Sequence, residues 1–250
     1  MTDATEQGYS YYTSSTPTAK SAVSRSNCEK LGQARLFPSF SDVDYLIFEL
    51  RRPIVERWLA RFDDPHLALL DIGGRIQPYR ALLQGRIDCY IAVDLLFEGL
   101  VDVVATGERL PFKRDAFDLV LCNDALQYIP HPENAISEIH RVLRPAGGLI
   151  LSTRASYPGH HDEYWRFVPQ ALRFLTRSFS SVTIEPEGNS VTGWATFTNV
   201  LLHRDIQSYR LNRIAQLTTI PLINVVGLWL GRYVSRNTRG TCGYSLLAIK

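Results

Sequence analysis

The chain has 250 residues, 27 Lys+Arg against 25 Asp+Glu, and 45% hydrophobic residues. That length suits one domain with an elaboration, and the composition excludes global disorder. A net charge of +2 gives no nucleic-acid footprint, and no run of 18 apolar residues marks a membrane-spanning helix.

Residues 1–36 read as a flexible Ser/Thr-rich tail, because large aliphatic residues are almost absent over most of it and it carries no signal-peptide apolar region. Residues 43–62 place apolar groups at helical spacing, with Pro53 as the expected boundary between two helices. Short apolar runs bounded by turns follow at 67–72, 89–93, 101–105, 117–122 and 149–152, each the length of a buried strand. Residues 133–143 form an amphipathic helix whose stripe is Ala135, Ile136, Ile139, Val142 and Leu143, with Pro145 and Gly147-Gly148 ending it. A helix over 168–178 and strands at 181–185 and 244–249 complete an alternating α/β pattern, which implies a parallel sheet with helices on both faces. Residues 37–187 and 241–250 are assigned to the core, and 188–240 to an insertion.

The first strand ends in Asp71-Ile72-Gly73-Gly74, and Asp94 ends the second, 23 residues later. An acid at that distance hydrogen-bonds a ribose in doubly wound folds, although a glycine turn and a strand-terminal Asp are equally compatible with plain structure. The stretch LPFKRDAFDLVLCNDALQYIPHPENAISEIHRVLRPAGGLILST, residues 110–153, is more specific. With the first two strands it resembles class I S-adenosylmethionine-dependent methyltransferases of the type 11 kind. The resemblance implies a Rossmann-like seven-stranded sheet with one antiparallel strand near the C-terminus. It implies S-adenosylmethionine as cofactor, with Asp71, Gly73 and Gly74 beside the methionine moiety and Asp94 and Leu95 at the ribose. Gly107 and Glu108 would flank the adenine, and Asn123 and Ala125 would floor the site below the sulfonium. One departure stands out. The family's glycine-rich loop, Asp-x-Gly-x-Gly-x-Gly, has Arg75 and Gln77 in place of its second and third glycines. Those side chains would either crowd the cofactor, or Arg75 would pair with its carboxylate. The alternative function is therefore a non-catalytic protein that keeps the fold.

Methyl transfer to a hydroxyl calls for a base near the nucleophile. His160, His161 and Asp162, just beyond the fifth strand, are the candidates, with His131 in second place; a solvated polar loop is the competing reading. Trp165 is read either as a stacking ring or as a core anchor, and Phe167 as core. Gln77-Pro78-Tyr79-Arg80 and the stretch from Asp162 to Pro169 are similar to segments of sugar-modifying methyltransferases, so the expected acceptor is a glycan or small molecule methylated on oxygen. Cys28, Cys89, Cys122 and Cys242 form no metal-spaced cluster, so no metal is expected and a reducing, cytoplasmic compartment follows.

Residues 204–250 carry Arg204, Arg210, Arg213, Arg232, Arg236, Arg239 and Lys250 against the single acid Asp205, a net of +6, so residues 1–203 sum to −4. Within that segment 217–230 is apolar but interrupted by Pro221, Asn224 and Gly227. The insertion is expected to be helical and to cap the acceptor site. The competing reading lays 204–240 in a membrane interface, peripheral to the bilayer, which suits a lipid-linked acceptor.

Overall fold

The computed structural model describes residues 25–159, 162–234 and 236–250. Seven strands form one sheet: β1 (Leu67–Ile72), β2 (Ile87–Asp94), β3 (Val103–Val104), β4 (Phe117–Asn123), β5 (Leu143–Arg154), β6 (Ser181–Pro186) and β7 (Gly243–Ile249). Their order is β3-β2-β1-β4-β5-β7-β6. The pairs β1–β2, β1–β4, β2–β3 and β4–β5 are parallel, whereas β7 runs antiparallel to both β5 and β6. The expected Rossmann-like sheet with one reversed strand is therefore present. Its central strands are apolar on both faces because helices cover both. On one side α3 (Pro132–Val142) lays Ala135, Ile136, Ile139 and Val142 onto β4 and β5, with α4 (Pro169–Leu175) beside it. On the other, Ile54, Val55, Trp58 and Leu59 of α2 (Tyr45–Leu59) pack on Leu69, Leu119, Leu121 and Ile150. Proline at the first turn of α3 loses nothing there, since that position has no hydrogen-bond acceptor inside the helix.

Two expectations need correction. Pro53 does not divide two helices; α2 runs through it. The proline deprives the Glu49 carbonyl of its usual partner, but burial of the apolar side on the sheet outweighs one lost hydrogen bond. The tail expected through residue 36 ends earlier. Residues 25–36 form α1 (Arg25–Leu36), anchored by Leu36 in the core beside Ile54 and Trp58; residues 1–24 lie outside the described part. The anchor was hard to see because Cys28, Gly32 and Leu36, the buried positions of α1, include only one large aliphatic residue.

The insertion is helical: α5 (Ser190–Asp205), α6 (Tyr209–Leu217) and α7 (Thr219–Tyr233). Asn189 caps α5, accepting from the amides of Val191 and Thr192. α5 and α7 run antiparallel and close together. A Cβ on Gly227 would meet Ala195 at 2.8 Å and one on Gly231 would meet Thr192 at 2.7 Å, while Asn199 Nδ2 donates to Asn224 Oδ1 at 2.8 Å.

α1 also approaches the loop after β1 closely, because a Cβ on Gly32 would run into the Ile76 carbonyl oxygen. Gly32→Ala should push α1 off that loop at a cost of about 1–3 kcal/mol. Faster proteolytic cleavage between residues 37 and 44 in the variant checks this, and unchanged protection would show that α1 has room to move.

Candidate active site

Parallel register aligns the carboxyl ends of β1, β2, β4 and β5. Asp71 pairs with Leu121 and Ala92, Ile72 with Cys122 and Val93, and Asn123 with Ser152. The residues that follow these ends therefore share one edge of the sheet. A cavity of about 390 Å³ opens there, between the sheet edge, α1, the segment before α2 and the insertion. It is within the range of small-ligand sites.

Of the sequence-predicted residues, Asp71, Gly73 and Asn123 line this cavity. Asp71 is buried, accepts a 2.6 Å hydrogen bond from Tyr90 Oη, and is pushed up to about 7 by burial. Gly73 has φ +77, donates its amide to Val93 O at 2.8 Å, and would bring a Cβ within 2.8 Å of the Ala125 methyl. Glycine is thus required at this crossing. Gly74 is buried behind Asp71, where a Cβ would meet the carboxylate at 2.9 Å. Asn123 Oδ1 is buried with no hydrogen-bond partner among the described residues.

Asp94, Leu95, Gly107, Glu108 and Ala125 lie outside the cavity, whereas Arg75 lines it. Asp94 ends β2, with Oδ1 accepting from Leu96 N at 3.1 Å. Arg75 reaches across to it, 3.5 Å from Asp94 Oδ1 and 3.4 Å from Glu98 Oε2. Arg75 thus bridges two acids of its own chain. The third pattern position, Gln77, holds φ +44 and donates to Leu100 O at 2.8 Å. Both replaced glycines therefore fasten the loop 95–100 to the loop after β1. Leu95 and Phe97 are exposed beside Asp94, an apolar surface for a flat ring. Gly107 is buried under Ile129, and Glu108 accepts the His131 amide at 2.8 Å, so the Glu108 carboxylate organises the start of α3.

His160 and His161 lie outside the described residues. Asp162 is half-buried and does not line the cavity, whereas its neighbour Glu163 does, ion-paired to Arg166. His131 is exposed and pairs with Glu133, which removes it from the site. Trp165 donates its indole N–H to Ile129 O and Pro130 O at 3.1 Å each and stacks on buried Phe167, so both rings anchor the loop.

Sequence reasoning missed the polar wall. Arg51 of α2, 2% exposed, makes bidentate contacts to Asp124 (2.6 and 3.0 Å) and to Glu187 (2.8 and 2.9 Å). Arg154, at the end of β5, adds Nε to Asp124 Oδ1 at 3.1 Å and lies over the Tyr157 ring at 4.5 Å. Tyr157 Oη donates to Asp44 Oδ1 at 2.8 Å. The two guanidinium groups hold Asp124 well below the usual carboxylate range. Beside this wall Asp42 is pushed up to about 6 by burial and the neighbouring Asp44 charge. Asp42, Asp44, Asp124 and Arg154 all line the cavity, and Arg154 Nη1 is buried with no partner among the described residues. Gln216 of α6 reaches the same cavity, Arg204 of α5 holds Pro158 O and Gly159 O, and Asn224 of α7 holds Phe40 O and Asp42 O. The insertion therefore borders the site.

Comparison with known proteins agrees with this geometry. Residues 82–151 match the family model described as "Methyltransferase domain". Over 88 residues the chain is 34% identical to the ubiquinone/menaquinone biosynthesis C-methyltransferase UbiE of Brucella canis, covering 34% of this chain and 29% of that protein. The chain thus spans about three-tenths of the length of such curated relatives. Among solved structures, the [4+2]-cyclase SpnF superposes with a TM-score of 0.52 at 16% identity, over 80% of this chain and 82% of that one. A phosphoethanolamine N-methyltransferase of Haemonchus contortus, solved with phosphomonomethylethanolamine and S-adenosylhomocysteine, gives 0.50 at 16% identity, over 85% and 60%. These likenesses establish the fold, which hosts more than one chemistry. The segment from the turn before β2 into β5 is thus similar to S-adenosylmethionine-dependent methyltransferases, on a sheet of the class I methyltransferase kind.

Proposed function

We propose that the protein transfers a methyl group from S-adenosylmethionine to an oxygen of a small-molecule or glycan acceptor bound in the cavity between the sheet edge and α6. The observation that carries this reading is the buried Asn123 Oδ1, which has no hydrogen-bond partner among the described residues and lies beside Asp71 and Gly73; the cofactor's ammonium would satisfy it. Asp94 and the exposed Leu95 would hold the ribose and face the adenine. When bound, the cofactor supplies an electrophilic methyl group. Arg154 and Tyr157, which line the cavity, position the acceptor. Titration calorimetry with S-adenosylmethionine and S-adenosylhomocysteine tests the reading; heat from neither, with folded protein, would overturn it in favour of a fold that has lost its cofactor.

Asp42, which lines the cavity with Arg154 and Tyr157 whereas Asp71 is held by Tyr90 Oη, would take the acceptor's proton, and its pKa of about 6 keeps it ionised, yet basic, near neutrality. Turnover should rise with pH through about 6 and level off, since only the ionised carboxylate accepts a proton. Asp42→Asn should lower kcat by about 10²–10⁴ with cofactor affinity unchanged. If instead Asp162→Asn abolishes turnover and Asp42→Asn does not, the base belongs to the loop after β5.

A further inference from the structure

We propose that the outer face of the insertion seats this protein on the surface of a bilayer containing anionic lipid. The inference stands on the insertion's own geometry and is independent of the methyl-transfer reading. α7 turns Ile220, Asn224, Gly227 and Gly231 inward and leaves Leu222, Val225, Val226, Trp229 and Tyr233 exposed on the opposite side. Trp229 is 61% exposed and lies against Tyr233, with ring centroids 5.8 Å apart. α5 exposes Trp194 (73%), Phe197 and Leu201, and α6 exposes Leu211, Ile214 and Leu217. Apolar exposure on this scale marks an interaction surface, and indole and phenol rings at its margin suit the headgroup boundary.

Charge selects the occupant. Residues 188–240 hold six arginines and one acid, Asp205, a net of +5, and all six arginines are exposed. Basic residues beside an apolar helical face match anionic headgroups, at roughly 1 kcal/mol per residue near the surface. A second copy would set six arginines against six and has no such complement. Residues 209–233 are long and apolar enough to cross a membrane, but the structure assigns them to its surface. Asn224 is bonded to Asn199 and to the carbonyls of Phe40 and Asp42, so one side of α7 is committed to the protein core. The chain also breaks at Thr218, where φ is −128 and ψ −66.

Flotation of the full chain with phosphatidylcholine vesicles, with and without phosphatidylglycerol, tests this. Binding is expected with phosphatidylglycerol, should weaken as salt rises, and should shift tryptophan emission to the blue. The double variant Leu222→Ser/Trp229→Ser, at exposed positions, should fold as the parent does by circular dichroism and lose at least about ten-fold in partitioning. Arg210→Glu/Arg213→Glu should lose the phosphatidylglycerol preference. Failure of the parent to float with either vesicle would overturn the proposal. So would a dimer in sedimentation velocity that the Leu222→Ser/Trp229→Ser variant abolishes, since a second copy would then be the occupant.

Discussion

Replacing Arg51 by methionine should destabilise the protein by about 3–5 kcal/mol, among the largest losses a single change can cause here. Arg51 contacts two carboxylates, each through two bonds, and is 2% exposed. Among the described residues, removing it leaves buried Glu187 with neutral donors such as Ser245 Oγ at 2.7 Å and no ion-pair partner, and leaves Asp124 paired with Arg154. A drop in Tm on the order of 10 °C is expected for a chain of this size. The acid limb of the stability curve carries the sign. Asp124 is held below its ordinary pKa, so its contribution is present above about pH 4, the unfolded value, and is lost as pH falls toward the folded one. In the Arg51→Met variant that limb should flatten, because less pairing remains for protonation to destroy. Arg51→Lys keeps the charge but cannot fork to two carboxylates, so it should fall between parent and methionine variant. A methionine variant as stable as the parent would show that desolvating the four charges costs as much as their pairing returns.

The sheet was legible because its strands are buried on both faces and therefore read as uninterrupted apolar runs, as in β1 and β4. Asp71, Gly73 and Asn123, which line the cavity, were named in the sequence through the family resemblance, because the motif it matches falls at the ends of β1 and β4. The polar wall was not, because its members are far apart in sequence. Arg51 and Asp124 are 73 residues apart, and Arg51 and Glu187 are 136 apart. One local sign existed. Arg51 is four residues from both Ile47 and Val55, squarely on the apolar side of α2, where a charge needs a buried partner. α1 escaped notice because it docks through the close approach at Gly32 and a single large aliphatic anchor, Leu36, too few apolar positions to make a stripe. The role of Arg75 was undecidable from sequence, because either choice satisfied the motif and only the fold shows that Glu98 and Asp94 flank the guanidinium.

Asp94→Ala should weaken S-adenosylmethionine binding about ten- to a hundred-fold, the loss expected when charge-assisted hydrogen bonds to the ribose are removed. Arg75→Gly should do the reverse. Its side chain contacts Asp94 at 3.5 Å and Glu98 at 3.4 Å, distances longer than an ideal ion pair, so the bridge it gives up is weak. What the ribose gains is larger: a carboxylate released from its neighbour, and space where the family loop has glycine. Several-fold tighter binding by calorimetry is therefore expected. The two changes are coupled through one carboxylate, so their effects should not add. In the Asp94→Ala background, Arg75→Gly should leave affinity nearly unchanged, because no ribose anchor remains to be released. If Arg75→Gly weakens binding in the parent and weakens it equally in the Asp94→Ala background, Arg75 acts on the cofactor directly, and its bridge to Asp94 and Glu98 is a resting position that ligand breaks. If Asp94→Ala leaves affinity untouched in a folded protein, the ribose is held elsewhere, and the resemblance at the end of β2 belongs to the fold alone.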